Sequence, residues 1–373
     1  MDVLPFVRSR PAAIRRTRSP VSFRGRAMRT ALAVAIVAAS WLLGVGVAEA
    51  RRLPRFGSQF HALWSDYTQA ERLEVLDKLE AAGARWVRID FGWSSLQPTG
   101  PREHREWYVD LADRVVDAAR RRGINVLMTL WRTPGWANGG AGENVPPDDP
   151  ADYARAARWM ARHFRGRVAA WEVWNEPNLA GGGFWTGTPT DYAQLLEASY
   201  DSFKAGDPRA KVVAGSVVYN DVDWLRAMYQ AGAGGSFDVI STHPYQGVAN
   251  EPPDAPDDGT KWRLSHVEAV HALMRSFGDG DKPIWFTEFG WSSHRNDGGE
   301  ENWELGVSLR RQARYAVRAF RYVAGQFPYV PVMIWYNERN RTTGAPQLDN
   351  YGLLERDLTP KPVYRALADL FGN

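Results

Sequence analysis

RWVRID at residues 85–90, YVDLADRVVDAARRR at 108–122 and NVLMTL at 125–130 decide how this chain folds. The first and third are short runs rich in β-branched and large apolar residues, the composition of strands buried in a parallel sheet. Between them Leu111, Val115, Val116 and Ala119 recur at helical spacing on one face, and Gly123 stops the helix. Strand, helix and strand in that order make a βαβ unit, whose two strands pair in parallel with the helix packed across them.

The same alternation extends outward to both sides. Strands are expected at 57–61, 85–90, 125–130, 169–174, 211–215, 237–242, 283–288 and 331–335, each followed by a helical stretch. The first helix opens on the capping box Thr68-Gln69-Ala70-Glu71, carries Leu73, Val75, Leu76 and Leu79 on one side and ends at Gly83. The others are expected at 108–122, 150–165, 190–205, 222–231, 265–277, 307–324 and 362–371. Eight βα units without a linker or a change of composition predict one (β/α)8 TIM barrel over 51–373. A doubly wound open sheet competes, but it would carry a glycine-rich phosphate turn after the first strand. Gln59-Phe60-His61-Ala62-Leu63-Trp64 contains none.

Residues 1–50 read differently. Residues 31–48 form an uncharged apolar run preceded by Arg24, Arg26 and Arg29, and Ala48-Glu49-Ala50 has the small-x-small form of a signal-peptidase site. The expectation is export with cleavage after Ala50, with Met28 as an alternative start. An uncleaved membrane anchor is the competing reading. Of the 46 Lys and Arg and 43 Asp and Glu, eight Arg and two acids fall in this leader, leaving 38 and 41 and a net charge of −3. The basic pI thus belongs to the leader and does not point to nucleic acid. The absence of cysteine excludes disulfides, thiolate metal sites and a Cys nucleophile. No heptad or exposed apolar helix declares a protein partner.

A parallel barrel places chemistry at the C-terminal ends of its strands. Two carboxylates end apolar strands there, in Trp171-Glu172-Val173-Trp174-Asn175-Glu176-Pro177-Asn178 and in Ile284-Trp285-Phe286-Thr287-Glu288-Phe289-Gly290-Trp291. A carboxylate set among indoles is costly to keep charged unless something uses it. On strands four and seven of a closed barrel the two face each other across the mouth. Retaining glycoside hydrolysis needs such a pair: one carboxyl protonated for the leaving oxygen, the other ionised to attack the anomeric carbon. Glu172 is expected in the barrel interior. Trp93, Trp131, Trp136, Trp185, Trp262, Trp291 and Trp335, among 17 Trp in all, follow strands and are expected partly open, offering flat faces to pyranose rings.

Trp-Asn-Glu-Pro at 174–177 and Thr-Glu-Phe-Gly-Trp at 287–291, 112 residues apart, resemble the acid/base and nucleophile motifs of clan A glycoside hydrolases. The wording around Glu176 is most similar to family 39, with cellulase-like family 5 close behind. The resemblance covers residues 56–371 and implies that Glu176 is the acid/base, with a raised pKa, and Glu288 the nucleophile, with a lowered one. It further implies that Asn175 holds the sugar 2-hydroxyl, that Arg88 and Tyr245 orient Glu288, that His243 lines the cleft and that Trp335 underlies the sugar. Strand three departs from the cellulase pattern: it ends Leu130-Trp131-Arg132 where a histidine is common. The expected partner is a β-linked carbohydrate. No cofactor or metal is expected, since the seven His show no paired ligand spacing. A catalytically idle polysaccharide-binding barrel stays open as the alternative. A Schiff-base or metal-dependent lyase lacks both a lysine at a strand end and a His cluster.

Overall fold

A computed structural model describes residues 52–179 and 183–372, so the expected leader lies outside the described residues. Eight parallel strands close in sequence order into one barrel. They are β1 (Arg55–Gln59), β2 (Trp86–Gly92), β3 (Asn125–Trp131), β4 (Ala170–Val173), β5 (Lys211–Val218), β6 (Val239–His243), β7 (Ile284–Phe289) and β8 (Val332–Trp335). The helices between and after them are α1 (Gln69–Ala81), α2 (Glu106–Arg121), α3 (Pro150–His163), α4 (Pro189–Gly206), α5 (Val222–Gln230), α6 (Val267–Ser276), α7 (Leu309–Gln326) and α8 (Pro362–Phe371). Short helices Trp93–Leu96 and Pro346–Asp349 lie in the loops after β2 and β8. No helix among the described residues is long and apolar enough to cross a membrane.

Local sequence accounts for these elements. Thr68 and Glu71 make the expected reciprocal cap on α1, and Thr188 with Asp191 repeats it on α4. The expected face of α2 is buried. On α1, Leu73 is only half-buried, and Arg72 takes a place against the barrel. Its guanidinium donates to the carbonyls of Ala62, Trp64 and Tyr67, fixing the loop after β1.

Side-chain alternation divides the barrel into layers. Outward-facing residues such as Val87, Ile89, Met128, Trp171 and Met333 form one large core with the helices. Inward, at the N-terminal end, Trp86, Leu127, Ala170, Val213, Val239, Trp285, Val332 and Ile334 make an apolar plug. Two residues further along the same strands the interior turns polar, with Gln59, Arg88, Thr129, Glu172, Ser241 and Thr287 buried. The next step reaches the mouth.

The plug needs Gly57. It pairs with Trp86, whose indole meets Trp285 at 4.9 Å. A Cβ on Gly57 would lie 2.7 Å from Trp86 Cβ and 2.9 Å from Trp86 O. Gly57→Ala should therefore destabilise the barrel by about 1–3 kcal/mol, the usual cost of overpacking. A lower urea midpoint with an unchanged slope is the expected result. An unshifted midpoint would show that β1 and β2 can separate at no cost.

Candidate active site

The polar layer is organised by Arg88, which is fully buried. Its Nε donates to Glu172 Oε2 at 2.6 Å, Nη1 to Gln59 Oε1 at 2.9 Å and to Glu288 Oε1 at 2.7 Å, and Nη2 to Asn175 Oδ1 at 2.6 Å. A guanidinium can only donate, so it takes the amide oxygen of Asn175 and leaves the amide nitrogen for the cleft. Glu172 also accepts from Thr129 and Ser241, at 2.7 and 3.1 Å. Burial alone would raise its pKa, but Arg88, His243 and the Thr129 hydroxyl hold it below the ordinary range. Glu172 is the interior acid expected from its place on β4.

Strand geometry breaks where the mouth begins. Trp174 and Glu176 adopt φ of 67° and 45°, the left-handed region that non-glycine residues rarely occupy. By plain alternation from Ala170 and Glu172, Trp174 would point inward. Instead it is buried outside the barrel, its Nε1 donating to Phe184 O at 2.7 Å. Asn175 and Glu176 take the cleft positions. On β7 the pairing register with β8 shifts between Phe286 and Phe289, so that Glu288 faces the cleft although Thr287 is also inward.

Glu176, His243 and Glu288 each offer one ligand-type atom within 4.8 Å of the others. His243 Nδ1 shares a hydrogen bond with Glu176 Oε1 at 2.8 Å and lies 3.7 Å from Glu288 Oε2. Its Nε2 lies 3.1 Å from the Ser216 hydroxyl and 3.2 Å from that of Thr287. Burial holds the imidazole below its ordinary pKa, against the raising influence of Glu288. Tyr245 donates to Glu288 Oε2 at 3.0 Å, and burial pushes the phenol pKa well up, so it keeps its proton. Such a trio could hold a metal, but Arg88 already sets a fixed positive charge 2.7 Å from Glu288, which works against a cation there.

Burial pushes Glu176 up to about 7, with Arg88 opposing and Glu172 and Asp90 adding to the rise. Glu288 is raised too, which corrects the expected lowering: burial outweighs His243 and Arg88, and Glu176 opposes its ionisation. The physical reason is burial of the carboxyl, the largest influence on it, with Arg88 also engaged by Glu172. Both oxygens of Glu288 accept from groups that only donate here, Arg88 and Tyr245.

The cleft around this pair has a volume of about 1510 Å3 and is lined from the loops after all eight strands. Asn175, Glu176, Tyr245, Glu288 and Trp131 line it, with Arg88 and His243 directly beneath. Three expected sugar platforms do not. Trp335 lies on the outward side of β8, as Met333 does, and is fully buried with its Nε1 on Tyr351 O at 2.9 Å. Trp291 is buried beside it, donating to Glu251 O, and Trp136 folds back to donate to Gln97 O. Trp93 and Trp185, expected partly open, are buried as well.

Other residues occupy the vacated walls. Tyr336, one step past Trp335, lines the cleft. So do Asp90, held by Gln59 Nε2 at 3.0 Å, and His61. His61 Nδ1 sits 3.0 Å from Glu338 Oε2, and Tyr67 donates to Oε1 of the same carboxylate at 2.5 Å. Burial would lower the His61 pKa, yet Glu338 holds it above the ordinary value. Asp90 is legible in the sequence, two residues after Arg88 on β2. His61 ends no motif, and its partner is 277 residues away.

The family model described as Cellulase (glycosyl hydrolase family 5) matches residues 49–338. A protein named probable glucan 1,3-beta-glucosidase A, from Aspergillus fumigatus, is 25% identical over 263 residues, 68% of this chain and 58% of that protein. The chain therefore spans less than two thirds of the length of that relative. Among solved structures, a family 39 glycoside hydrolase from Bacteroides cellulosilyticus superposes with a TM-score of 0.67 at 22% identity, covering 87% of this chain and 64% of that one. A GH5_18 enzyme from Streptomyces cattleya in complex with GlcNAc gives 0.66 at 19% identity, covering 86% and 80%. At those identities the likeness is one of fold. The clan read from the two glutamate motifs stands, and within it the matching model is that of family 5, where the motif wording pointed first to family 39. With a match over most of its length, the chain belongs to glycosyl hydrolase family 5, the cellulase family.

Proposed function

We propose that the protein is a retaining β-glycosidase that hydrolyses O-glycosidic bonds of a β-linked oligo- or polysaccharide, with Glu176 as acid/base and Glu288 as nucleophile. The observation that carries this reading is the close, asymmetric pair. An oxygen of each carboxyl lies within 4.8 Å of the other, and only Glu288 is held by two donors that favour its ionised form. Retaining pairs stand about 5–5.5 Å apart, whereas inverting pairs leave about 6.5–9.5 Å for a water molecule.

In the first step Glu288 attacks the anomeric carbon while Glu176 passes its proton to the leaving oxygen, giving a glycosyl ester on Glu288. In the second, Glu176 takes a proton from water, which displaces Glu288 and restores both groups. Asn175 offers its amide nitrogen to the sugar 2-hydroxyl, and His243 positions Glu176. Export directed by residues 31–50 is part of the same proposal, since a polysaccharide substrate lies outside the cell.

Two measurements test the chemistry. Glu176→Gln should lower turnover of an unactivated β-glycoside by about 10²–10⁴-fold. Glu288→Gln should abolish it, and the first sugar released by the native enzyme should be the β-anomer by proton NMR. Release of the α-anomer would overturn retention, and undiminished turnover in Glu288→Gln would overturn the assignment of the nucleophile. An idle binding barrel would instead bind sugar and turn over none.

The second test is the pH profile. Glu176 must be protonated, so kcat/KM should fall as pH rises through about 7. Glu288 must be ionised, so activity should fall on the acid side at a pH above the ordinary carboxylate range. Both limbs are macroscopic values of the pair. An alkaline limb that persists unchanged in Glu176→Gln would show that another group supplies the proton.

A further inference from the structure

Among the described residues three arginines line the cleft, and two of them are already paired with acids. Arg132 lies 3.8 Å from Glu143, and Arg263 is engaged by Glu251 and Asp258. Arg341, in the loop after β8, has no acid partner among the described residues. Asp349 in the same loop turns its oxygens to Thr343 and Gly344. Arg341 Nη1 donates to the Tyr336 hydroxyl at 3.1 Å, and its guanidinium carbon lies 4.5 Å from the centroid of the Trp64 ring. Those two contacts fix the plane of the group and leave most of its N–H donors unspent.

His61 reaches the same place from the loop after β1, the strand paired with β8. Its ring lies 4.2 Å from that of Trp64 and 5.8 Å from that of Tyr336. Glu338 engages Nδ1 and, against the lowering influence of burial, holds the imidazole above its ordinary pKa. Nε2 has no hydrogen-bond partner among the described residues. The Arg341 charge opposes the rise at His61, so the two cationic groups feel each other. Asp90, the other acid that acts on His61, is held by Gln59 and lies 3.6 Å from Arg88. A second cation left unpaired beside the first is unfavourable in the empty cleft, and an anion set against both relieves it. The cluster adjoins the nucleophile. Tyr336 N donates to Phe289 O at 2.9 Å, and Tyr245, which holds Glu288, reaches Tyr336 through Tyr351 by ring contacts of 6.0 and 5.5 Å.

Resting on the glycosidase reading above, we propose that the sugar transferred to Glu288 is a β-linked uronic acid, whose carboxylate is held by Arg341 and by His61 Nε2. A guanidinium fork matches the two oxygens of a carboxylate, and such charge-assisted bonds are stronger than those to a neutral hydroxymethyl group. Arg341 selects the substrate and takes no part in bond breaking.

The test pairs nitrophenyl β-glucuronide with the β-glucoside, and the β-galacturonide with the β-galactoside, so that only the group at C6 differs within a pair. One uronide should be cleaved with kcat/KM about tenfold or more above its neutral partner. Arg341→Gln should lower that ratio about ten- to hundredfold, mostly through KM, and Arg341→Lys should restore part of it. A ratio taken within one preparation is insensitive to how much of the variant folds. Isothermal titration reads binding apart from turnover: the free uronate should bind the native enzyme more tightly than the matching neutral sugar and lose that advantage in Arg341→Gln. Cleavage of the neutral glycosides with no preference for a uronide, or an unchanged ratio in Arg341→Gln, would overturn acid-sugar recognition while leaving the glycosidase reading in place. No turnover of any glycoside would instead overturn the glycosidase reading, and transfer to Glu288 with it, whereas the titration would still decide whether Arg341 binds a sugar carboxylate.

Discussion

The mouth of this barrel depends on Arg88. One buried guanidinium ties together β1 through Gln59, β4 through Glu172, the loop after β4 through Asn175 and β7 through Glu288. A buried cation of this kind is tolerable only with its acceptors in place. Losing one partner of a buried pair costs about 3–5 kcal/mol. The network is therefore cooperative: each acceptor holds Arg88, and Arg88 holds each acceptor at a fixed angle. At Glu288 burial outweighs its charge, so that carboxyl keeps a raised pKa although it touches the guanidinium.

A second constraint follows from how parallel strands end. Inside the barrel the alternation of side chains is strict, giving first an apolar plug and then a polar layer. Among the places where it fails at the rim are Trp174 to Glu176, by left-handed backbone, and β7, by a register shift. Those failures bring Glu176 and Glu288 to the cleft. Where alternation does not fail, as on β8, the consequence is opposite: Trp335 stays on the helix side, and Tyr336 reaches the cleft.

Membership of family 5 and likeness of fold to both family 39 and GH5_18 structures agree with the clan-level reading of the two motifs. These relations leave the choice of sugar to the loops. The segments after β1, β2, β6, β7 and β8 bring Trp64, Trp107, Trp262, Trp303 and Leu348 to the cleft that also holds Glu176 and Glu288.

The sequence by itself determined the eight βα units, their order, the capping of α1 and the two strand-end glutamates. All of these are properties of short segments: apolar runs, helical periodicity and motifs within a few residues. Arg88 and Asp90 belonged to the same legible set, since each is two residues from the next on one strand face. Tertiary structure alone decided which indoles meet solvent, because a tryptophan after a strand can fold outward against a helix or stand in the cleft with equal local sequence. It decided the His61–Glu338 pair for the same reason, as its partners are far apart in the chain. It also decided the sign of the Glu288 shift, which is set first by burial, against the opposing influence of His243 and Arg88. Segmental patterns carry hydrophobic direction, whereas solvent access and electrostatic balance exist only once the ring of strands has closed.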